Sequence, residues 1–287
     1  MRKILVTGVA TLDIINQLDH YPLENEEIRA TAQTISTGGN ACNTAYVLTQ
    51  LQHHVELAAS LGNDHHAKWI KKQLTHKNIG TQYCSTMEGI SPISCITLNK
   101  LNGSRTIIHY RDLPELNFIH FEIIPFHQFN WLHFEGRNIQ ELVKMLSFLK
   151  QHQIRQPVSI EIEKERENID HIFRYADVLI YSRKFVQGRG FKSAELFLQE
   201  MHKTNAHATH VCPWGEAGAW AIDHSGEIFF SPAYTPQQVI DTLGAGDTFN
   251  AGLINELVSG QPIQKALVVA CQLAGKKVGQ YGLNNLY

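Results

Sequence analysis

Short apolar runs alternate with helical patterns along most of this chain, and that rhythm limits the possible fold more than any other feature. Ile4-Leu5-Val6 runs into Gly8 as a buried strand ending in a turn, and Val55–Ala59, Trp131–Phe134, Val158–Ile162, Val178–Tyr181 and Thr209–Cys212 read as further short strands. Between them, apolar residues three or four apart predict helices over Asn40–Leu51, Asp64–His76, Ile139–His152, Ser193–His202, Asp247–Val258 and Ile263–Gln280. Strands alternating with helices of about 10 to 15 residues build βαβ units, which implies an α/β domain whose mostly parallel sheet is covered on both faces.

Two segments break the rhythm. Ile14–Ser36 and Ile93–Arg111 are β-rich rather than helical, and Asn102-Gly103 in the second is a hairpin-turn signal. Both predict extra strands in a small sheet standing off the main domain, as a lid or a dimer surface. No internal repeat, low-complexity tract or linker interrupts the sequence. Residues 1–287 therefore read as one domain, with lid strands from about 14–36 and 93–111.

Composition narrows the partners. With 25 Lys+Arg against 27 Asp+Glu the formal net charge is −2, so there is no global attraction to nucleic acid or to an anionic membrane, and a small molecule or another subunit is expected. No stretch approaches the roughly 18 consecutive apolar residues of a membrane helix. Gly8 and Asp13 fall where a secretory signal needs an unbroken apolar core, so a cytoplasmic location is expected. The five cysteines are odd in number, widely spaced and free of any CxxC pair, which favours reduced core thiols over disulfides or a zinc knuckle. The 16 histidines include adjacent pairs whose side chains diverge and no HExxH, so no dedicated transition-metal site is expected.

Chemistry concentrates in Asp241–Gly252, DTLGAGDTFNAG. A Gly244-Ala245-Gly246 turn leading at once into a helix lets backbone N–H groups approach a phosphate, and the helix N-terminus adds partial positive charge. Asp247, at the same helix start, is placed to take a proton from a hydroxyl attacking the phosphoryl group. Taken alone, the stretch also reads as an ordinary turn with Asp247 as N-cap. It is neither a Walker A loop nor a Rossmann fingerprint, because no GK[ST] follows and the third glycine is misplaced. Arg105 in the predicted hairpin can close over phosphates as a guanidinium clamp, or be a solvated strand charge.

The full DTLGAGDTFNAG string resembles the C-terminal signature of the PfkB/ribokinase family of carbohydrate kinases, and Gly38–Ala45, GGNACNTA, resembles that family's N-terminal GGN-x-x-N motif. Within the family the likeness is to the ketohexokinase branch. It is carried by Tyr21-Pro22 with Glu27-Ile28-Arg29, Gly103–Ile107, His133–Asn138, Val143–Leu146, Glu161–Lys164 and Cys271–Lys277, and it spans essentially the whole chain.

The resemblance implies a ribokinase-like three-layer α/β/α sandwich with a small β-sheet lid, two lids clasping to form a homodimer. It implies ATP-dependent phosphorylation of a ketohexose, D-fructose at its 1-hydroxyl, with Mg²⁺. By the same likeness Asp13, Gly39, Asn40, Asn43, Asn138 and Asp247 would meet the sugar. Asn25 stands where the branch carries an aspartate that reaches the neighbouring subunit's sugar. Arg105, Trp214, Gly215, Glu216, Gly218, Gly244, Gly246 and Cys271 would meet ATP.

Asp241 and Thr242 lie where many relatives bind K⁺. Ser182-Arg183-Lys184-Phe185 replaces the Asn-x-x-Glu motif that many members link to magnesium, leaving Glu161 and Glu163 for water-mediated Mg²⁺ contact. Another sugar or a nucleoside as acceptor, and a non-catalytic sugar-binding regulatory protein of the same fold, remain alternatives.

Overall fold

The computed structural model describes all 287 residues. The chain opens with strands β1 (Lys3–Thr7), β2 (Thr11–Leu18) and β3 (Ala32–Gly38), then helix α1 (Asn40–Gln50), β4 (His54–Ala58), β5 (Ser60–Leu61), α2 (His65–His76), β6 (Ile79–Gly80) and β7 (Ser85–Thr86). A hairpin of β8 (Ile93–Asn99) and β9 (Arg105–Tyr110) precedes α3 (Phe118–Phe121), β10 (Trp131–Glu135), α4 (Ile139–Gln151), β11 (Val158–Ile162), β12 (Val178–Tyr181), α5 (Arg183–Gly188) and α6 (Ala194–Thr204). Strands β13 (Thr209–Pro213), β14 (Ala219–Ile222) and β15 (Ile228–Ser231) and helices α7 (Ala245–Val258) and α8 (Ile263–Val278) complete it.

Nine strands form the central sheet in the order β15-β14-β13-β12-β11-β10-β1-β4-β6, parallel except for β14, which runs antiparallel to both of its neighbours, β13 and β15, near one edge. Successive side chains of a strand point to opposite faces, and the cores follow that alternation. Ile4 and Val6 pack with residues of α1, α2, α7 and α8, while Leu5 packs with α4, α5 and α6 on the other face. Along β12 the same split sends Val178 and Ile180 to the first core and Leu179 and Tyr181 to the second. From β1 the chain builds outward through β4 and β6, then returns to the other side of β1 with β10. Strand order thus reverses at β1/β10, the place where open α/β sheets leave a crevice at their strand ends.

The second sheet, β3-β2-β8-β9, stands apart and is mixed, β2 and β8 being parallel. Its β9 is exposed along its length. Cys95 departs from the expectation that all five thiols sit in the core: β8 buries Ser94, Ile96 and Leu98, so the pleat sends Cys95 outward. Strands β14 and β15 were not among the expected strands: no predicted helix separates them from β13 or from each other, so the strand-helix rhythm does not mark them. No helix is long and apolar enough to cross a membrane.

Candidate active site

Helices α1 and α7 begin beside each other, and neither has a side-chain cap. Gly39 precedes α1, and Gly244, at φ 80°, precedes α7 in the left-handed region that glycine tolerates without strain. Asp247 is therefore not the N-cap: Gly244 holds that position, and Asp247 sits in the first turn with its carboxylate free for other work. Asn43 Nδ2, on α1, donates to Asp247 Oδ2 at 2.7 Å. Asp247 is buried, and burial pushes its carboxyl up to about 7. The Asn43 bond opposes that rise, Glu135 and Glu163 add to it, and Arg105 works against it.

Glu161 stands at the end of β11, buried, with Asn40 Nδ2 donating to its Oε2 at 3.2 Å. Burial, reinforced by Asp247, Glu135 and Glu163, holds its carboxyl well above the usual range. Such a cluster of carboxylates repels its own ionisation and is receptive to a cation or a proton. Glu163 lies two residues on, half-buried and paired with Lys164 at 3.3 Å. No group of three His, Cys, Asp or Glu side chains is arranged to hold a metal ion.

Glu135, at the end of β10, is a residue that the sequence did not single out. Its Oε1 accepts from the Ala41 N–H at 2.5 Å and the Val9 N–H at 3.1 Å, while Arg137 donates to Oε2 at 3.1 Å. One carboxylate thus ties the N-terminus of α1 to the β1–β2 connection and fixes where Asn40 and Asn43 project. The only hint was Glu135 within the His133–Asn138 string.

Asp13 lies on β2 where the lid sheet enters the crevice, opposite Ser36 and Ser94 in the ladder. It is buried and accepts from Thr11 Oγ1 at 2.5 Å. Burial raises its carboxyl, opposed by hydrogen bonds from Thr11 and Ser94 and by the charge of Lys77. Lys77, which caps α2, donates to Thr37 Oγ1 at 2.6 Å on the neighbouring strand. Sequence pattern did not mark it, since a lone lysine at a helix end carries no signal.

Beyond Gly246 opens a cavity of about 480 Å³, walled by the β12 and β13 exits, segment 233–239 and the faces of α7 and α8. Gly215, Glu216, Gly218, Thr242, Gly246 and Cys271 all line it. Ala233, Tyr234, Pro236, Val239, Phe249, Ala274 and Val278 give it an apolar lining that only the fold assembles. Trp214 is buried at the rim, its ring centroid 5.5 Å from the Arg183 guanidinium, which also pairs with Glu216 at 3.0 Å. Gly218, at φ 104°, would bring a Cβ against the backbone of Ser231, so the packing of β15 requires a glycine there.

The hairpin tip closes on this region. Arg105 Nη1 donates to Thr242 Oγ1 at 2.7 Å, bringing the lid's guanidinium beside the turn that begins α7. Asp241 does not face open space: the buried Lys277 ammonium donates to its carboxylate at 2.8 Å and to its carbonyl at 2.9 Å. Two residues stand away from the crevice within one subunit. Asn25 is exposed in the β2–β3 connection with φ 61°, and Asn138 donates its Nδ2 to Leu116 O at 3.4 Å in a separate small cavity.

A buried carboxylate beside an uncapped helix start, with a large apolar cavity behind that start, is the equipment of a phosphoryl-transfer enzyme. The chain belongs to the PfkB family of carbohydrate kinases, whose family profile, "pfkB family carbohydrate kinase", matches residues 1–286. It is 39% identical to the ketohexokinase of Mus musculus over 99% of both chains. It is also 27% identical to the fructosamine kinase FrlD of Bacillus subtilis, over 87% of this chain and 86% of the other. Among solved structures it superposes on the Arabidopsis thaliana ribokinase complexed with ribose and ATP with a TM-score of 0.80, at 20% identity over 98% of this chain and 94% of that one. The ribokinase-like α/β fold is thereby established.

Proposed function

We propose that this enzyme transfers the γ-phosphoryl group of ATP to the 1-hydroxyl of a ketohexose, D-fructose being the substrate that the 39% identity to a ketohexokinase favours. The observation that carries this reading is Asp247, buried at the start of α7 with its carboxyl pushed up to about 7, where a general base working near neutral pH is most effective. The sugar lies in the crevice between Asp13, Asn40, Asn43 and Asp247. These carboxylates and amides together accept from and donate to several hydroxyls. The nucleotide base and ribose occupy the 480 Å³ cavity, which directs the phosphates to the N–H groups of Ala245 and Gly246.

Arg105 closes over the phosphates from the lid, and Asp247 accepts the hydroxyl proton as the oxygen attacks. The positive helix start and the guanidinium meet the charge that spreads over the equatorial oxygens. Mg²⁺ fits the carboxylate cluster: Glu161, with Glu163, would hold it through water, since no protein cage of three ligands is present. When bound it neutralises phosphate charge.

The lid sheet exposes Ile35, Ile107, Ile108 and Tyr110, and an apolar face of this kind supports its burial against a second lid in a homodimer. ADP release measured over a panel of ketoses, aldoses and nucleosides tests the function. Fructose is expected to give the highest kcat/KM. A preference for an aldose or a nucleoside replaces the substrate, and sugar binding without ADP release replaces the enzyme.

A further inference from the structure

Lys277 is one of the few fully buried charged side chains in the molecule, with 0% of its surface exposed, although α8 would allow a lysine in its last turn to reach solvent. Its Nζ has three oxygen neighbours: Asp241 Oδ2 at 2.8 Å, Asp241 O at 2.9 Å and Gln280 O at 3.3 Å. All three are acceptors. An ammonium has three N–H donors and satisfies them all, whereas a neutral amine would turn its lone pair against one of the oxygens. Burial lowers the affinity of Lys277 for its proton, and the Asp241 carboxylate opposes that fall without cancelling it.

The acceptors that Lys277 gathers also hold the turn in front of α7. Asp241 Oδ1 accepts from the Leu243 N–H at 2.8 Å, and Oδ2 also accepts from the Gly282 N–H at 3.1 Å. The N–H groups of Ile240 and Asp241 both donate to Val278 O, at 2.9 and 3.2 Å. The ammonium therefore sits where segment 240–243 meets the end of α8, directly upstream of Gly244. A carboxylate and two carbonyls converging on one point is the donor set of a hard monovalent cation. A potassium ion does not fit there, because the lysine already takes the oxygens of Asp241, and Thr242 Oγ1 is engaged by Arg105.

We infer that Lys277 is a tethered cation that replaces a free potassium ion in this enzyme, positioning the 241–246 turn whose N–H groups receive the transferred phosphoryl group. Turnover should then be indifferent to potassium, and removal of the ammonium should create a potassium requirement. The inference takes from the proposed function only the role of the turn, and melting temperature reads it without turnover.

The experiment compares the intact chain with Lys277→Met, in which the apolar stem is kept but ends one atom short and vacates the ammonium's place. In the parent, exchange of K⁺ for tetramethylammonium should change kcat by less than about twofold and leave the melting temperature unmoved. In Lys277→Met without K⁺, kcat should fall by about tenfold or more, and K⁺ or NH₄⁺, but not tetramethylammonium, should restore rate and raise the melting temperature saturably. Saturable activation of the parent by K⁺ would overturn the inference, as would full activity of Lys277→Met in its absence, or a folded variant whose melting ignores K⁺. If the variant does not fold, the potassium titration of the parent still decides. If no sugar is phosphorylated at all, the kinase reading fails while the melting comparison continues to test the cation.

Discussion

Asn43 Nδ2 meets Asp247 Oδ2 at 2.7 Å across 204 residues of sequence, so the first and seventh helices share a hydrogen bond at their starts. The bond fixes the plane of the carboxylate and leaves Oδ1 as the oxygen available to an incoming hydroxyl. It also favours the charged form that burial opposes, which brings Asp247 to about 7 rather than higher.

Asp247→Asn should fold, because Gly244 rather than Asp247 caps α7 and the carbonyl oxygen of the introduced amide still accepts from Asn43. Its kcat should fall by about 10²–10⁴ with little change in KM, since the base is lost while shape is kept. Steady-state rates on a variant with a native circular dichroism spectrum check this. Near-parental turnover removes Asp247 from the mechanism.

The same carboxyl predicts a pH dependence for both rate and stability. The base must be ionised, so kcat/KM for the sugar should climb about tenfold between pH 6 and pH 8, around the value near 7. For stability the sign is opposite. The folded state holds a proton on Asp247 that the unfolded chain, at the ordinary value of 3.8, has already released. The contribution of this group is therefore fully present below 3.8 and lost as pH rises through 7. Asp247→Asn removes the loss and should be about 1–3 kcal/mol more stable than the parent at pH 8, with the difference shrinking toward pH 5. Urea unfolding at the two pH values measures it, and an equal difference at both would show that Asp247 is not the titrating group.

Gly246→Val separates folding from chemistry. A Cβ at Gly246 would meet no atom within 4 Å and the residue is helical, so the substitution strains nothing and projects into the cavity. Stability should change by less than about 1 kcal/mol, the helix propensities of glycine and valine being close. KM for ATP should rise by about tenfold or more as the side chain takes phosphate space. Unaltered ATP kinetics would show that this turn does not receive the phosphates.

The parallel sheet was legible because its central strands are short apolar runs and several of them, Val55–Ala59 and Trp131–Phe134 among them, are followed by a helix with clear three-to-four spacing. The chemistry of Asp247 was legible because glycine, a small residue and a carboxylate fall together at one helix start. What remained hidden depends on distance in the fold. Glu135 acts through backbone N–H groups of Val9 and Ala41, far away in sequence, and Tyr234, Pro236 and Val239 become a cavity wall only when their segment lies against α8. Lys277 was hidden for another reason: a lysine near a helix end normally points to water, and no local pattern announces that its ammonium is buried.

Arg105 joins the lid to the phosphate turn through its 2.7 Å bond to Thr242 Oγ1. Arg105→Ala should raise KM for ATP by about fivefold and lower kcat by about 10-fold or more, because the guanidinium meets charge that grows in the transition state. Arg105→Lys should recover only part of the kcat, since an ammonium lacks the planar fork. A variant in which KM rises and kcat stays parental would confine Arg105 to nucleotide binding.

Asn25 stands exposed at the turn of the β2–β3 connection, with φ 61°, a conformation that asparagine and aspartate adopt more readily than most residues. Within one subunit it touches no part of the crevice, so any effect on the sugar must pass through a second lid. A carboxylate accepts strong charge-assisted hydrogen bonds from hydroxyls, whereas the Asn25 amide offers a neutral acceptor and two donors. In a clasped homodimer the amide should hold fructose more loosely and tolerate a different hydroxyl pattern. Asn25→Asp should therefore lower KM for fructose by about three- to tenfold, with kcat little changed and the dimer intact by sedimentation. Unchanged sugar kinetics in an intact dimer would place the residue in solvent and leave sugar preference to Asp13, Asn40 and Asn43.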